Sequence, residues 1–307
     1  MIEIKDGSLS VKNRQSVTNI IENINLIFEN GKNYALIGVN GSGKSTLLKI
    51  LAGRVSLSKG LFLFNGQPTF MNKLLFLKQV GWVNQDPLLD IKLTGMETLT
   101  ISSQTFGMSK KDFLDSFDFL NQYLKLSDFI KSKVSTLSGG QKRRLDLARS
   151  LIHNPNYLFL DEPSAGFDPL YFNVFWNFIK IWKTEKKSNV IAITHNIKEA
   201  EILENIIVMS NGHVLLHGTY NNLTSTLPLD MIEIETSYPN ELTKKFEKNT
   251  SNKSIITYTD RGIRIGSHDS KYFLDFLTST SIPRKLWSRF SLSQTNLNDV
   301  ISYAENI

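Results

Sequence analysis

The stretch Gly38-Val39-Asn40-Gly41-Ser42-Gly43-Lys44-Ser45 constrains the fold more tightly than any other part of this chain. It follows the apolar run 34–39 and precedes the helix-like stretch 46–51, which predicts a strand, a glycine-rich loop and a helix in that order. Glycines let backbone N–H groups turn towards an anion without side-chain obstruction, and the helix that follows adds its positive N-terminal end. The expected result is a phosphate cradle built from Asn40, Gly41, Ser42, Gly43 and Thr46, with Lys44 reaching the outer phosphates and Ser45 holding Mg²⁺.

A second apolar run, residues 157–160, ends in Asp161-Glu162-Pro163. Such continuous apolarity predicts a strand buried on both faces of a parallel sheet, and ligands of open α/β sheets bind at the C-terminal edge. Asp161 is thereby placed to bind Mg²⁺ or its water, and Glu162 to polarise the water that attacks a terminal phosphate. Leu137-Ser138-Gly139-Gly140-Gln141 stands before the helix-like run 142–152, whose N-terminal end predicts a second anion site. One nucleotide does not need two such sites from one chain.

At these residues the chain resembles the ATP-binding-cassette family, in which the second loop caps ATP bound to the opposite subunit. The resemblance covers about residues 1–223 and implies a head-to-tail dimer, homo- or heteromeric, with two sandwiched nucleotides. It implies binding roles towards ATP for Ser138, Gly139, Gly140 and Gln141, and makes Gln85 the glutamine of the Q-loop, with a part in holding Mg²⁺ and in catalysis. By the same likeness Asp168 in Ser164-Ala165-Gly166-Phe167-Asp168 belongs to the D-loop, and His195 after Thr194 is the switch histidine. The runs Lys142-Arg143-Arg144-Leu145 and Asn196-Ile197-Lys198-Glu199-Ala200 are similar to those in ATPases of bacterial drug, antibiotic and bacteriocin exporters.

The resemblance implies a P-loop NTPase core of class α/β, with an antiparallel β subdomain and a helical subdomain over about residues 86–145. Apolar residues Phe113, Leu114, Phe117, Leu120 and Leu124 recur at helical spacing in that insert and are expected to be mostly core. In the family this insert receives a coupling helix of the membrane partner, here near Leu93-Thr94-Gly95-Met96-Glu97.

After residue 223 the character shifts. Residues 229–307 carry ten basic and ten acidic side chains, so the net charge of +6 belongs to the first part. The segment predicts a strand (231–236), a helix (240–248), strands 254–259 and 263–266 about the turn Asp260-Arg261-Gly262, a helix (270–277) and a strand (284–290), with a closing helix near 296–301. That β-α-β-β-α-β order is the ferredoxin-like unit, expected as a small α+β accessory domain.

Composition narrows the setting. There is no cysteine, hence no disulfide framework, and no basic-then-apolar leader opens the sequence. No apolar run approaches the roughly 20 residues a membrane-spanning helix needs, so a transport role puts the pore on a separate polytopic permease. The expected location is the cytoplasmic face of the membrane, and a basic ATPase half suits both polyphosphate and an anionic bilayer. No basic cluster with interleaved aromatics points to nucleic acid.

The expectation is therefore an ATP-hydrolysing transporter subunit; a soluble ATPase of the same family, acting in translation or DNA maintenance, stands as the alternative. One departure from the family concerns the adenine contact. Residues 12–17 hold no aromatic, leaving Arg14 or Gln15 to face the base, unless Phe28 or Phe70 reaches it from elsewhere.

Overall fold

The computed structural model describes residues 1–12, 16–228, 230–249, 255–267 and 283–305. It divides into two compact units, Met1–Val214 and Leu215–Ile307. In the first, β1 (Ile2–Lys12), β2 (Val17–Phe28), β4 (Lys59–Phe64) and β5 (Gln67–Pro68) form an antiparallel sheet in the order β2-β1-β4-β5.

The second sheet runs β10-β9-β3-β8-β7-β6, with β3 at Tyr34–Ile37, β6 at Val80–Val83, β7 at Tyr157–Asp161, β8 at Asn189–Ile193, β9 at Asn205–Ser210 and β10 at His213–Thr219. Its pairs β3/β8, β3/β9, β6/β7 and β7/β8 are parallel, and β3, β6 and β8 are buried at every residue. Strands covered on both faces need apolar residues at consecutive positions, which is why these runs do not alternate.

Helix α1 (Lys44–Leu51) presses Leu47, Leu48, Ile50 and Leu51 into a core shared with Ile21, Phe28, Phe159 and Ile191. Burying each such side chain contributes about 1.5–3 kcal/mol. A short helix α2 (Lys73–Leu77) supplies Phe76 to the same core.

Side-chain caps set the helix starts. Helix α3 (Gly95–Thr105) opens on a capping box: Thr94 Oγ1 accepts from the Glu97 N–H at 3.2 Å, and Glu97 Oε2 accepts from the Thr94 N–H at 2.7 Å. Helix α4 (Lys110–Leu124) has Ser109 as its cap. Its apolar stripe is less internal than its spacing implies: Leu120 and Leu124 are buried, whereas Phe113 and Phe117 are half-buried and Leu114 is exposed.

Helix α5 spans Gly139–Leu151, so Gly139, Gly140 and Gln141 form its first turn instead of preceding it. Ser138 caps it through a second capping box with Gln141. Helices α6 (Pro169–Lys186) and α7 (Ile197–Leu203) complete this unit.

The second unit begins within β10 and contains α8 (Tyr220–Thr224). Its antiparallel sheet has the order β12-β13-β11-β14, with β11 at Asp230–Glu235, β12 at Ile255–Thr259, β13 at Gly262–Ser267 and β14 at Arg289–Gln294. Helix α9 (Pro239–Asn249) connects β11 to β12 with β13 lying between them, a split β-α-β arrangement, and sends Leu242 and Phe246 into the core. The expected helix 270–277 lies outside the described residues.

The last strand starts later than expected. Pro283 opens a turn in which the Leu286 N–H donates to its carbonyl, and Leu286 and Trp287 are both buried. Two consecutive inward side chains do not fit a strand with one face covered, so pairing with β11 begins at Arg289, opposite Glu235. Helix α10 (Leu297–Glu305) is tied to β13 by Arg264, which donates to Asp299 at 3.0 Å.

Candidate functional site

The parallel sheet delivers the functional residues to one edge. Gly38 directly follows β3, Glu162 follows β7, Gln85 lies two residues beyond β6, and His195 two beyond β8. In the glycine-rich loop, Gly38 has φ +143° and Gly43 has φ +98°. A Cβ on Gly38 would stand 1.9 Å from the Met209 carbonyl oxygen, and one on Gly43 would stand 2.9 Å from Ile21 Cγ2, so both backbone sign and space require glycine there.

Lys44 is buried and its Nζ donates to the Gly38 and Val39 carbonyls at 2.7 and 2.8 Å. Burial lowers its pKa, while the nearby carboxylates of Glu162 and Asp161 act in the opposite sense. Helix α1 has Gly43 at its N-cap and no side chain capping it, which leaves N–H groups of the first turn without a side-chain acceptor. Ser45 is exposed, Thr46 half-buried, and Asn40 and Gly41 are exposed at the rim.

Asp161 sits at the last position of β7 with its carboxyl pushed up, first by burial and then by the charge of Glu162; Lys49 and Lys44 pull it down. Glu162 has φ +46°, a left-handed backbone uncommon for a residue with a Cβ, and its N–H is held by the Ile193 carbonyl at 3.1 Å. That turn aims the carboxylate between two neighbours. Oε2 accepts from Gln85 Nε2 at 3.2 Å, and Oε1 lies 3.4 Å from His195 Nε2.

The loop and helix form an anion cradle, and beside it one carboxylate is poised between an amide and an imidazole. No group of three or more His, Cys, Asp or Glu side chains that could hold a metal occurs among the described residues. The oxygen donors of Ser45, Asp161 and Gln85 nevertheless suit Mg²⁺, which is bound through one or two carboxylates together with substrate phosphates.

Comparison with known proteins supplies the family. The family described as ABC transporter matches residues 21–165. The chain is 32% identical over 225 residues to the Nod factor export ATP-binding protein I of Rhizobium sp. (strain N33), covering 73% of this chain and 74% of that one. It belongs to the ABC transporter family.

This ATPase is also 33% identical over 215 residues to ABC transporter G family member 23 of Dictyostelium discoideum, spanning 70% of its own length but only 30% of that relative. Among solved structures it superposes with a TM-score of 0.65 and 25% identity on the dimeric post-hydrolysis state of the ATP-binding cassette MJ0796 bound to ADP and Pi, over 71% of this chain and 98% of that one. As an ABC ATPase it binds and hydrolyses ATP.

Of the other family positions, the D-loop touches the cluster through its backbone, the Ala165 N–H donating to the Glu162 carbonyl at 3.3 Å, whereas the side chains of Ser138, Gln141 and Asp168 make no hydrogen bond or ion pair to it among the described residues. Ser138 Oγ accepts from the Gln141 N–H at 3.3 Å and Gln141 Oε1 accepts from the Ser138 N–H at 2.8 Å, so both side chains are engaged in capping α5. Gly139 and Gly140 have ordinary backbone angles and open space where a Cβ would stand. Asp168 Oδ1 caps α6, accepting from the Leu170 and Tyr171 N–H groups, both at 2.9 Å. Ser164 donates to the buried carboxylate of Glu199, which also accepts from Trp176 Nε1 at 3.2 Å.

Phe28 is no candidate for the adenine contact, being wholly buried against Tyr34 in the core. Phe70 is largely exposed, and Arg14 and Gln15 lie outside the described residues. A groove of about 360 Å³ lies beside α3, lined by Arg54, Leu74, Trp82, Phe106, Arg149 and His153. His153 stacks on Phe106 at 3.6 Å and burial pushes its pKa down to about 4.

The sequence reading gave Arg143 no role. It is buried on α5 and reaches the loops of both Gln85 and Glu162. Its signal was position: Arg143 and Leu147 share a helix face, four residues apart, and that face is buried.

Proposed function

We propose that this ATPase is the energy-coupling subunit of a multi-subunit exporter, acting on a separate polytopic permease at the cytoplasmic face of the membrane. The observation that carries the catalytic part is the Glu162 carboxylate held between Gln85 and His195 beside the Lys44 cradle. In this reading the cradle of Asn40, Gly41, Ser42, Gly43, Lys44, Ser45 and Thr46 binds the phosphates of ATP. Glu162 accepts a proton from the attacking water, Gln85 orients that water, and His195 holds Glu162 and the terminal phosphate in place. Ser45, Asp161 and Gln85 would hold Mg²⁺, which when bound neutralises charge on the phosphates.

Two subunits close head to tail, each presenting Ser138, Gly139, Gly140 and Gln141 to the other's nucleotide, with Asp168 at the same interface. Dimerisation is supported by the dimeric likeness, and export by the relative named for Nod factor export. The groove at the C-terminal end of α3 is our choice for the permease contact in place of the expected Leu93–Glu97, none of which lines it, because Leu74, Leu77, Val80, Trp82 and Phe106 line it and Leu74 and its chain neighbour Leu75 are exposed. No helix among the described residues is long and apolar enough to cross a membrane, which suits a pore on another polypeptide. Residues 229–307 are proposed as an accessory domain.

The test is Glu162→Gln in the full chain. The variant should bind ATP as the wild type does, turn over about 10²-fold more slowly or worse, and accumulate an ATP-bound dimer in size-exclusion chromatography. Near-wild-type steady-state hydrolysis would remove Glu162 from the role of general base.

A further inference from the structure

One buried side chain joins the two loops that carry Gln85 and Glu162. The Arg143 guanidinium donates through Nη1 to the Asn84 carbonyl at 2.9 Å and to the Gln85 carbonyl, and through Nη2 to the Glu162 and Pro163 carbonyls at 3.2 and 2.9 Å. Its carbon also lies 5.9 Å from the centre of the Phe167 ring in the following loop. Arg143 is only 7% exposed.

All four acceptors are main-chain oxygens at the ends of β6 and β7, where the ladder stops and carbonyls lose their sheet partners. A planar fork with five N–H groups can serve several such acceptors at once, which an ammonium on a flexible stem cannot. Among the described residues no other side chain hydrogen-bonds the main chain of both loops. The Gln85–Glu162 side-chain contact at 3.2 Å depends on their relative placement. Arg143 reaches them from α5, two residues after Gln141, so the helix that opens on Ser138 is mechanically tied to the hydrolytic loops of its own chain.

We infer that Arg143 is a positioning residue for hydrolysis: it sets the distance between Gln85 and Glu162 and makes that distance depend on the orientation of α5. This rests on the reading of Glu162 given above. Arg143 touches no reacting atom; it acts by holding backbone.

The experiment compares Arg143→Lys and Arg143→Gln with Glu162→Gln and with the Arg143→Lys/Glu162→Gln double variant, all in the full chain. Turnover is expressed per mant-ATP-binding molecule, so that loss of folded protein is counted separately. Arg143→Lys keeps the charge but not the fork, and should lower kcat about 10–100-fold with Kd for mant-ATP within about twofold of wild type. Because Arg143 acts through Glu162, the double variant should be no slower than Glu162→Gln alone.

Wild-type kcat per binding site in Arg143→Lys and Arg143→Gln, beside a slow Glu162→Gln, overturns the inference and leaves the assignment of Glu162 standing. Multiplicative losses in the double variant, or a fall confined to the number of binding sites, overturn it as well. Wild-type turnover in Glu162→Gln would remove both.

Discussion

Oε1 of Glu162 lies 3.4 Å from Nε2 of His195, across the gap between the ends of β7 and β8. The contact exists because β7 and β8 are parallel neighbours with Asp161 opposite Ile193, which brings the residues just beyond each strand to the same height on the sheet edge. The left-handed backbone at Glu162 then turns its carboxylate towards the imidazole. Removing the ring takes away the imidazole contact and leaves the carboxylate its hydrogen bond from Gln85. His195→Ala should therefore lower kcat by about 10²-fold while mant-ATP affinity changes less than severalfold, and single-turnover assays will separate the two.

Lys44 and Ser138 stand at the two anion sites and should fail differently. Lys44→Ala removes a charge from the cradle and its hydrogen bonds to the Gly38 and Val39 carbonyls, of which Val39 keeps the Ser42 N–H, so monomer affinity for nucleotide should fall. Ser138→Arg puts bulk and charge at the start of α5, away from the cradle. Monomer binding should then survive within about twofold while ATP-dependent dimerisation is lost, a loss of the kind a like-charge or steric clash at an interface produces. Equal loss of mant-ATP binding in both variants would contradict the division of roles.

Much of this site was legible because phosphate chemistry demands fixed residue types at fixed spacing. Gly38 to Ser45, Asp161-Glu162 and His195 all occupy the strand ends expected of them. What escaped was governed by packing. The sequence places the start of α5 three residues late, because two glycines mask a helix whose first turn is set by the Ser138–Gln141 capping box. The stripe on α4 had helical period but no marker of how deep each residue would lie. Phe28 looked free to reach a base, yet β2 turns it into the core. Arg143 was invisible as a tie because its partners are carbonyls, and every residue has one.

Asp161 gives a prediction about stability. Its carboxyl is pushed up by burial and by the neighbouring Glu162, so the folded chain disfavours the charged form relative to the unfolded one. That penalty is absent at pH values below the ordinary carboxylate range and complete above the raised folded value. Asp161→Asn should thus raise Tm at pH 7.5, lose that advantage as the pH falls below the ordinary 3.8, to about pH 3, and abolish Mg²⁺-dependent turnover. A differential scanning calorimetry series at the two pH values checks the sign.

His153 works in the opposite window. It is a base held at about 4 against an ordinary 6.5, chiefly by burial, with Arg149 adding to the effect and the Val80 carbonyl opposing it. The fold excludes the protonated ring, so its contribution is complete above about 6.5 and is lost as the pH falls towards about 4. His153→Gln should flatten this part of the acid limb. Urea midpoints at pH 7.5 and 5 should differ less for the variant than for the wild type, and identical pH slopes would show that His153 titrates freely.

Gly139 and Gly140 have a meaning that the isolated chain does not explain. Neither needs a left-handed backbone, and neither has a neighbour that a methyl group would strike. Alanine at either place would favour the helix by roughly 0.5–1 kcal/mol, so the sequence carries a handicap where its own fold asks for none. In the proposed head-to-tail closure, bare backbone at that corner is clearance for the other subunit's nucleotide, which could then approach closer than a side chain would permit. Selection for thermal stability of the lone subunit would therefore erode the surface that the assembled machine requires.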